Sequence, residues 1–293
     1  MKVFLDIVLN GAAVGAVYAL VALGFVIIYK ATGVINFAQG GFMLVGAYLA
    51  FNARVTWGLP FWLAVVICIV GGALVGWLVE ATILRFMVGQ PVFAQLMVTI
   101  GLLFVIQEIV ATIWGVDRQD LQAPWGNKVV TVGGATLSQL RLFTIITAVV
   151  VMLLFFAFFR YSSLGLAMRA TAVDPEAALA QGISARRVYG VAWAISGAVA
   201  AIGGVLYAAP PAGLDPTLQF VALLAFPAIV LGGLDSPVGA VVGGLIIGWS
   251  QQFASHYMKW GQGFPDVFPY LVMIAVLLVR PSGLFGTEEV RRV

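Results

Sequence analysis

Apolar residues run along this chain in long blocks and do not alternate with polar ones. The blocks fall at about 6–29, 38–53, 60–80, 92–114, 141–159, 188–208, 220–234, 238–254 and 267–280. A helix needs about 20 apolar residues to cross a hydrocarbon core of ~30 Å. The pattern therefore predicts an all-α, polytopic integral membrane bundle with about 8–9 hydrophobic segments, some of them short or broken. Residues 1–293 read as a single transmembrane domain. The first block stays apolar from Ile7 to Tyr29, interrupted only by Asn10. That outruns a secretory signal core of roughly 7–15 residues, so we expect it to be retained as a helix.

The stretch from 220 to 254 is too long for one simple span. It carries Pro227 and then Gly232-Gly233-Leu234-Asp235-Ser236-Pro237. Ser-Pro is a helix-start signal, so we expect two segments joined by a tight turn, with Ser236 as cap. Either segment could be a half-helix with its N-terminus toward a path. The longest external loop, about 115–140, holds two β-prone runs around Gly133-Gly134 and reads as a small hairpin. That hairpin caps helix ends or docks an external partner. Glycines recur at small-xxx-small spacing, as in Gly11/Gly15, Gly72/Gly76, Gly239/Gly243 and Gly244/Gly248. Such spacing lets helix backbones approach closely in lipid.

Basic residues set the orientation. One cluster, Arg160, Arg169, Arg186 and Arg187, lies in the loop of about 160–187, and another, Arg280, Arg291 and Arg292, in the tail. Both are expected in the cytoplasm, together with Lys30 and Arg85. An odd number of segments then places the N-terminus outside and the C-terminus inside.

Composition narrows the function. The chain is 62% hydrophobic and only 9% charged, with 15 Lys+Arg against 12 Asp+Glu. An ordinary soluble domain carries roughly 25% charged residues. The small, scattered excess of positive charge is no nucleic-acid footprint. One histidine, His256, and one cysteine, Cys68, leave no ligand cluster for a metal and no triad. We expect an interfacial His256, a buried Cys68 and no catalytic residues. There is no G-x-x-x-x-G-K-[ST] loop, so any ATP used here is bound by another chain.

The most informative segment runs from Arg169 to Ile183. Asp174 can cap a helix, Pro175 suits its first position, and Glu176 favours the positive end of the dipole. Gly182 supplies a left-handed stop. Residues 175–181 thus form a short helix between two spans. Its surface, Ala177, Ala178 and Leu179, lacks the aromatic and basic faces of a helix lying on a membrane and suits docking against another protein.

This segment resembles the cytoplasmic coupling loop of ABC-importer permeases. Nearly the whole chain resembles the LivH-type permease of the branched-chain amino acid ABC transporter family. The likeness rests on Gly33-Val34-Ile35-Asn36-Phe37-Ala38-Gln39-Gly40, Gly46-Ala47-Tyr48, Thr99-Ile100-Gly101-Leu102, Arg169 to Gly182, and Val230 to Gly239. It implies a permease of the bacterial inner membrane that translocates branched-chain or other hydrophobic amino acids. It implies a second permease (LivM-like, or a homodimer mate), two ATPase subunits that bind ATP and Mg, and an external binding protein. Arg169, Asp174, Pro175, Glu176, Ala177, Ala178, Leu179 and Gly182 would couple to an ATPase. Many family members carry E-R-x-x-x-R-P after the third span, whereas this chain has Glu80-Ala81-Thr82-Ile83-Leu84-Arg85-Phe86. Urea, short amides and aromatic acids are therefore alternative substrates, and a self-sufficient carrier or channel is the alternative mechanism.

Polar residues inside a membrane are functional candidates by default. Asn36 and Gln39 lie in a Gly-rich stretch where the second segment begins. Gln95, Thr99 and Gln107 share one side of the fourth. Asn36 and Gln39 line a translocation path or hydrogen-bond between helices, and the three on the fourth segment line a path or contact a partner permease. Glu108 lies about six residues, or ~9 Å, from the end of its span, deep for a carboxylate.

Overall fold

The computed structural model describes residues 2–125, 128–132, 135–209, 212–258, 261 and 263–286. Among them it has the expected all-helical build. The first helix, α1 (Lys2–Thr32), is followed by α2 (Gln39–Phe51), α3 (Phe61–Thr82), α4 (Val92–Trp114) and α5 (Gln139–Tyr161). Two short helices, α6 (Ser163–Val173) and α7 (Pro175–Ala180), precede α8 (Ala185–Ala208). A 3-10 turn (Pro216–Phe220) leads into α9 (Val221–Leu224) and α10 (Phe226–Gly232), then α11 (Pro237–Tyr257) and α12 (Phe264–Val279).

The lengths separate full spans from partial ones. Five helices, α1, α3, α4, α5 and α8, are long and apolar enough to cross a membrane. By contrast, α2 has only 13 residues, and its helical path is continued directly by a π-helical turn (Asn52–Thr56). The block at 220–234 is broken into the 3-10 turn, α9 and α10. The expected tight turn is present, with Gly233 at φ 107° and Ser236 Oγ accepting from Gly239 N at 3.0 Å. The hairpin is present too, with β1 (Val129–Val132) antiparallel to β2 (Ala135–Ser138). Its turn residues, 133–134, and Arg291 and Arg292 lie outside the described residues.

At the centre of the bundle stands α1, whose most apolar stretch is 89% buried, against 22%, 28% and 22% for α3, α4 and α5. The small-residue pairs are the crossing points. A Cβ at Gly15 would sit 2.8 Å from the Gly244 carbonyl, and Gly248 packs on Gly15, so α1 and α11 touch backbone to backbone. At Gly72 a Cβ would lie 2.6 Å from the Gly197 carbonyl, locking α3 to α8, while Gly239 and Gly243 close on α10.

Charge separates the two ends of the bundle. At one end Lys30 donates to the Asp235 carbonyl (3.2 Å), and Lys30 and Arg169 lie over the Phe159 ring at 5.7 and 5.9 Å. Backbone bonds from Leu284 and Phe285 to Leu231 and Gly232 bring the tail to this end. At the other end Asp6 accepts from Thr136 N (3.1 Å), Asn10 accepts from Arg141, and Gln119 pairs with Leu214. The N-terminus and the hairpin thus share one end. The turn at 233–236, the loop of about 160–187 and the C-terminal segment share the other.

Candidate functional site

Between α1 and α2 the chain turns back inside the bundle. Gly33, at φ 72°, ends α1, and six non-helical residues lead to α2. Backbone polar groups at this depth must find partners within the protein. Side chains supply them. The Asn36 amide oxygen accepts from Ala38 N (3.0 Å), an Asx-type turn that starts α2. Thr99 of α4 accepts from Phe37 N (3.2 Å) and donates to the Leu96 carbonyl (2.9 Å). Gln39 accepts from Asn36 Nδ2 (3.4 Å) and from Ser196 Oγ of α8 (2.8 Å), and its own amide reaches the Ser196 carbonyl (3.5 Å). Ser196 Oγ also lies 2.8 Å from the Gly24 carbonyl of α1. Asn36, Gln39, Thr99 and Ser196 have no exposed surface. Four segments are therefore tied by one buried polar knot. Gly24 makes room for it, since a Cβ there would collide with the Gln39 amide.

A second polar contact lies further along α4. Gln107 accepts from the amide of Gln219 in the 3-10 turn, and Gln219 is fully buried. The Gln219 side-chain oxygen has no partner. Its backbone presses on Gly40, where any Cβ would collide with it. Beside this turn opens a pocket of about 520 Å³ lined by Tyr207, Asp215, Thr217, Phe220, Leu224 and Tyr270, among others. Asp215 caps the turn by accepting from Thr217 N (2.8 Å), and Tyr270 donates to the Leu223 carbonyl (2.8 Å).

The remaining expected path residues lie elsewhere. Gln95 is spent on the turn before α4, donating to the carbonyls of Gln90 (2.8 Å) and Met87 (3.1 Å). Glu108 points away from the knot, out of the bundle, among Phe104, Val105, Ile109, Thr112 and Ile113. His256 is exposed in the last turn of α11 against Tyr257, and Cys68 is buried. Among the described residues no group of three potential metal ligands exists.

The loop at the basic end is built as two capped helices. Ser162 caps α6, Asp174 caps α7 by accepting from Ala177 N (2.9 Å), and Ser184 caps α8. Pro175 is at the first position of α7, and Gly182 stops the chain at φ 80°. Glu176, Ala177 and Leu179 are exposed, while Ala178 is buried, its carbonyl accepting from Ile183 N. Arg169 lies one helix earlier, on α6, where it also reaches the Arg160 carbonyl (3.4 Å).

Sequence reading missed α6, which Ser162 announces as a cap, and the partners Ser196 and Gln219. It also missed Glu80, whose buried carboxylate pairs with Arg85 at 3.3 Å. Ser196 stands in an Ala- and Gly-rich helix and Gln219 between apolar neighbours, and each was visible as a polar residue at membrane depth.

A family model described as branched-chain amino acid transport system / permease component matches residues 7–277. The LivH permease protein of the high-affinity branched-chain amino acid transport system of Escherichia coli is 33% identical over 99% of this chain and 98% of its own length. The BraD permease protein of Pseudomonas aeruginosa, from a system of the same description, is 30% identical over 99% and 98%. In fold the chain is similar to PsaBC from Streptococcus pneumoniae, solved in complex with Fab, with a TM-score of 0.51. That likeness covers 93% of this chain and 91% of the other at 14% identity.

Proposed function

The chain belongs to the branched-chain amino acid transport permease family and is the membrane-spanning permease subunit of an ABC importer, and from that premise we propose what it carries and how it is driven. Such permeases work with ATPase subunits and a binding protein. The cargo is a branched-chain or similar hydrophobic amino acid, fed from outside by the binding protein. ATP and Mg sit on two separate ATPase subunits. A second permease of LivM type completes the path. The N-terminus and hairpin face outside, and the basic end faces the cytoplasm.

The observation that carries the drive is α7. It is a self-capped helix outside the bundle, with Glu176, Ala177 and Leu179 exposed at the basic end. A six-residue helix with that exposure has little of its own packing, so its natural support is a partner surface. Closure of the ATPases then moves α7, with α6 and Arg169 behind it. The path runs past Gln107, Gln219 and the adjoining pocket. There the amides of Gln107 and Gln219, with Asp215, Thr217 and the two tyrosines of the pocket, meet a zwitterion, and the aliphatic lining suits its side chain. Asn36, Gln39 and Thr99 border this path from the knot.

Reconstitution of the complete complex tests the reading. Leucine, isoleucine or valine should enter only with ATP and binding protein, and urea or aromatic acids should not compete. Uptake by this chain alone, without ATP, would replace the reading with a self-sufficient carrier. Asp174→Ala removes the cap, at about 1 kcal/mol. It should lower uptake while leaving ATP hydrolysis running.

A further inference from the structure

Three helices show a broad exposed face: α3, α4 and α5. On α3 the exposed side chains include Trp62, Val66, Val70, Leu74 and Trp77, and on α5 Ile146, Val149, Leu153 and Leu154. All are large and apolar, as a lipid-facing surface requires. The face of α4 differs. Gly101, Val105, Glu108 and Thr112 follow one another at helical spacing along it, and all are exposed.

Two independent observations say that this stripe does not face lipid. First, a carboxylate about 9 Å from the helix end is costly against acyl chains. Second, the glycines inside the helices of this protein mark close contacts. At the other described helical glycines, a Cβ would meet an atom of a neighbouring segment within about 3.4 Å. Gly101 alone among them has nothing within 4 Å. Its neighbour is missing from the chain itself.

We infer that the Gly101–Val105–Glu108–Thr112 stripe of α4 is where a transmembrane helix of the second permease subunit packs. A basic or hydrogen-bond-donating side chain of that subunit meets Glu108. The occupant is a different chain, because a second copy packed on this stripe would set its own Glu108 carboxylate against this one. Among the described residues, every Lys and Arg on a helix long and apolar enough to cross a membrane lies in its first or last turn, so a copy would bring a second carboxylate and no basic side chain to this depth. This inference rests on the proposed reading in needing a second permease, but it names the surface.

Photo-crosslinking in the native complex tests it. Val105→Cys and Thr112→Cys on α4, with Val70→Cys on α3 and Val150→Cys on α5 as controls, are made in a Cys68→Ser background. Each is labelled with a benzophenone maleimide, irradiated in membranes and analysed by mass spectrometry. The expected result is adducts from both α4 sites to a second, non-identical multi-pass permease chain, and lipid adducts alone from Val70→Cys and Val150→Cys. Adducts from α4 to lipid only, or to another copy of this chain, overturn the inference. So do permease adducts that come from α3 or α5 instead of α4, although the assembly reading then survives. A purified complex with no second permease overturns both.

Discussion

Two interruptions break the helices inside the membrane, one between α1 and α2 and the other from Pro216 to Ala225. The first is closed by side chains. Asn36, Gln39, Thr99 and Ser196 satisfy its backbone and each other, and none has exposed surface. The second is held by less. Asp215 caps its start and Gln219 meets Gln107, but the Gln219 oxygen has no partner and a pocket of about 520 Å³ opens alongside. Buried polar networks that are fully satisfied rigidify the structure around them, and the second interruption falls short of that. The first interruption is therefore a fixed frame joining α1, α2, α4 and α8. The second, held by fewer bonds, is the segment expected to move when access alternates.

The two meet at Gly40, and the strongest perturbation acts there. Gly40→Val drives a side chain into the Gln219 backbone. The expected cost is about 3 kcal/mol, the upper part of the overpacking range. It should be seen as loss of monodisperse complex and of uptake. Next comes the frame alone. Gln39→Leu strips partners from Asn36 and Ser196 at about 2 kcal/mol. It should lower the thermal unfolding midpoint in detergent, and Ser196→Ala should do the same to a smaller extent. A Gln39→Leu protein as stable as wild type would remove the frame.

The moving segment should respond in the opposite sense. Replacing both Gln107 and Gln219 by Leu removes donor and acceptor together, which is close to neutral for stability. Uptake should nevertheless fall, because the polar lining of the proposed path is gone. A double variant that transports normally would take both glutamines out of the path. The smallest effect is expected at Glu108, which belongs to neither interruption. Glu108→Gln keeps a hydrogen-bond acceptor and should leave ATP-driven uptake largely intact. Abolished uptake with normal assembly would point instead to a proton-linked carboxylate.

The helical class, the turn at 233–236 and the short helix α7 were all legible along the chain, because each is written in local signals. Asp174, Pro175 and Gly182 delimit α7 within a few residues of one another, and the structure ends it at Ala180, one residue before the sequence expectation. The glycine pairs likewise named the crossing points, though not which helices cross. What the chain could not give was pairing across distance. Gln39 and Ser196 are 157 residues apart, and Gln107 and Gln219 are 112 apart. A polar residue at membrane depth announces a need for a partner without saying where the partner is. For the same reason Gln95, Thr99, Gln107 and Glu108, close together on α4, were read as one group. The structure sends them to a turn, the knot, the second interruption and the outer face. The central place of α1 was equally hidden, since a buried and a lipid-facing apolar helix have the same composition.

Hydrogen–deuterium exchange on the reconstituted complex, with and without ATP under conditions that block hydrolysis, tests the central claim most directly. Amide exchange reports local opening segment by segment. The account predicts that nucleotide changes exchange in the peptide spanning 214–226 and leaves the peptide spanning 33–41 protected and unchanged. Equal change in both, or change confined to 33–41, would contradict it.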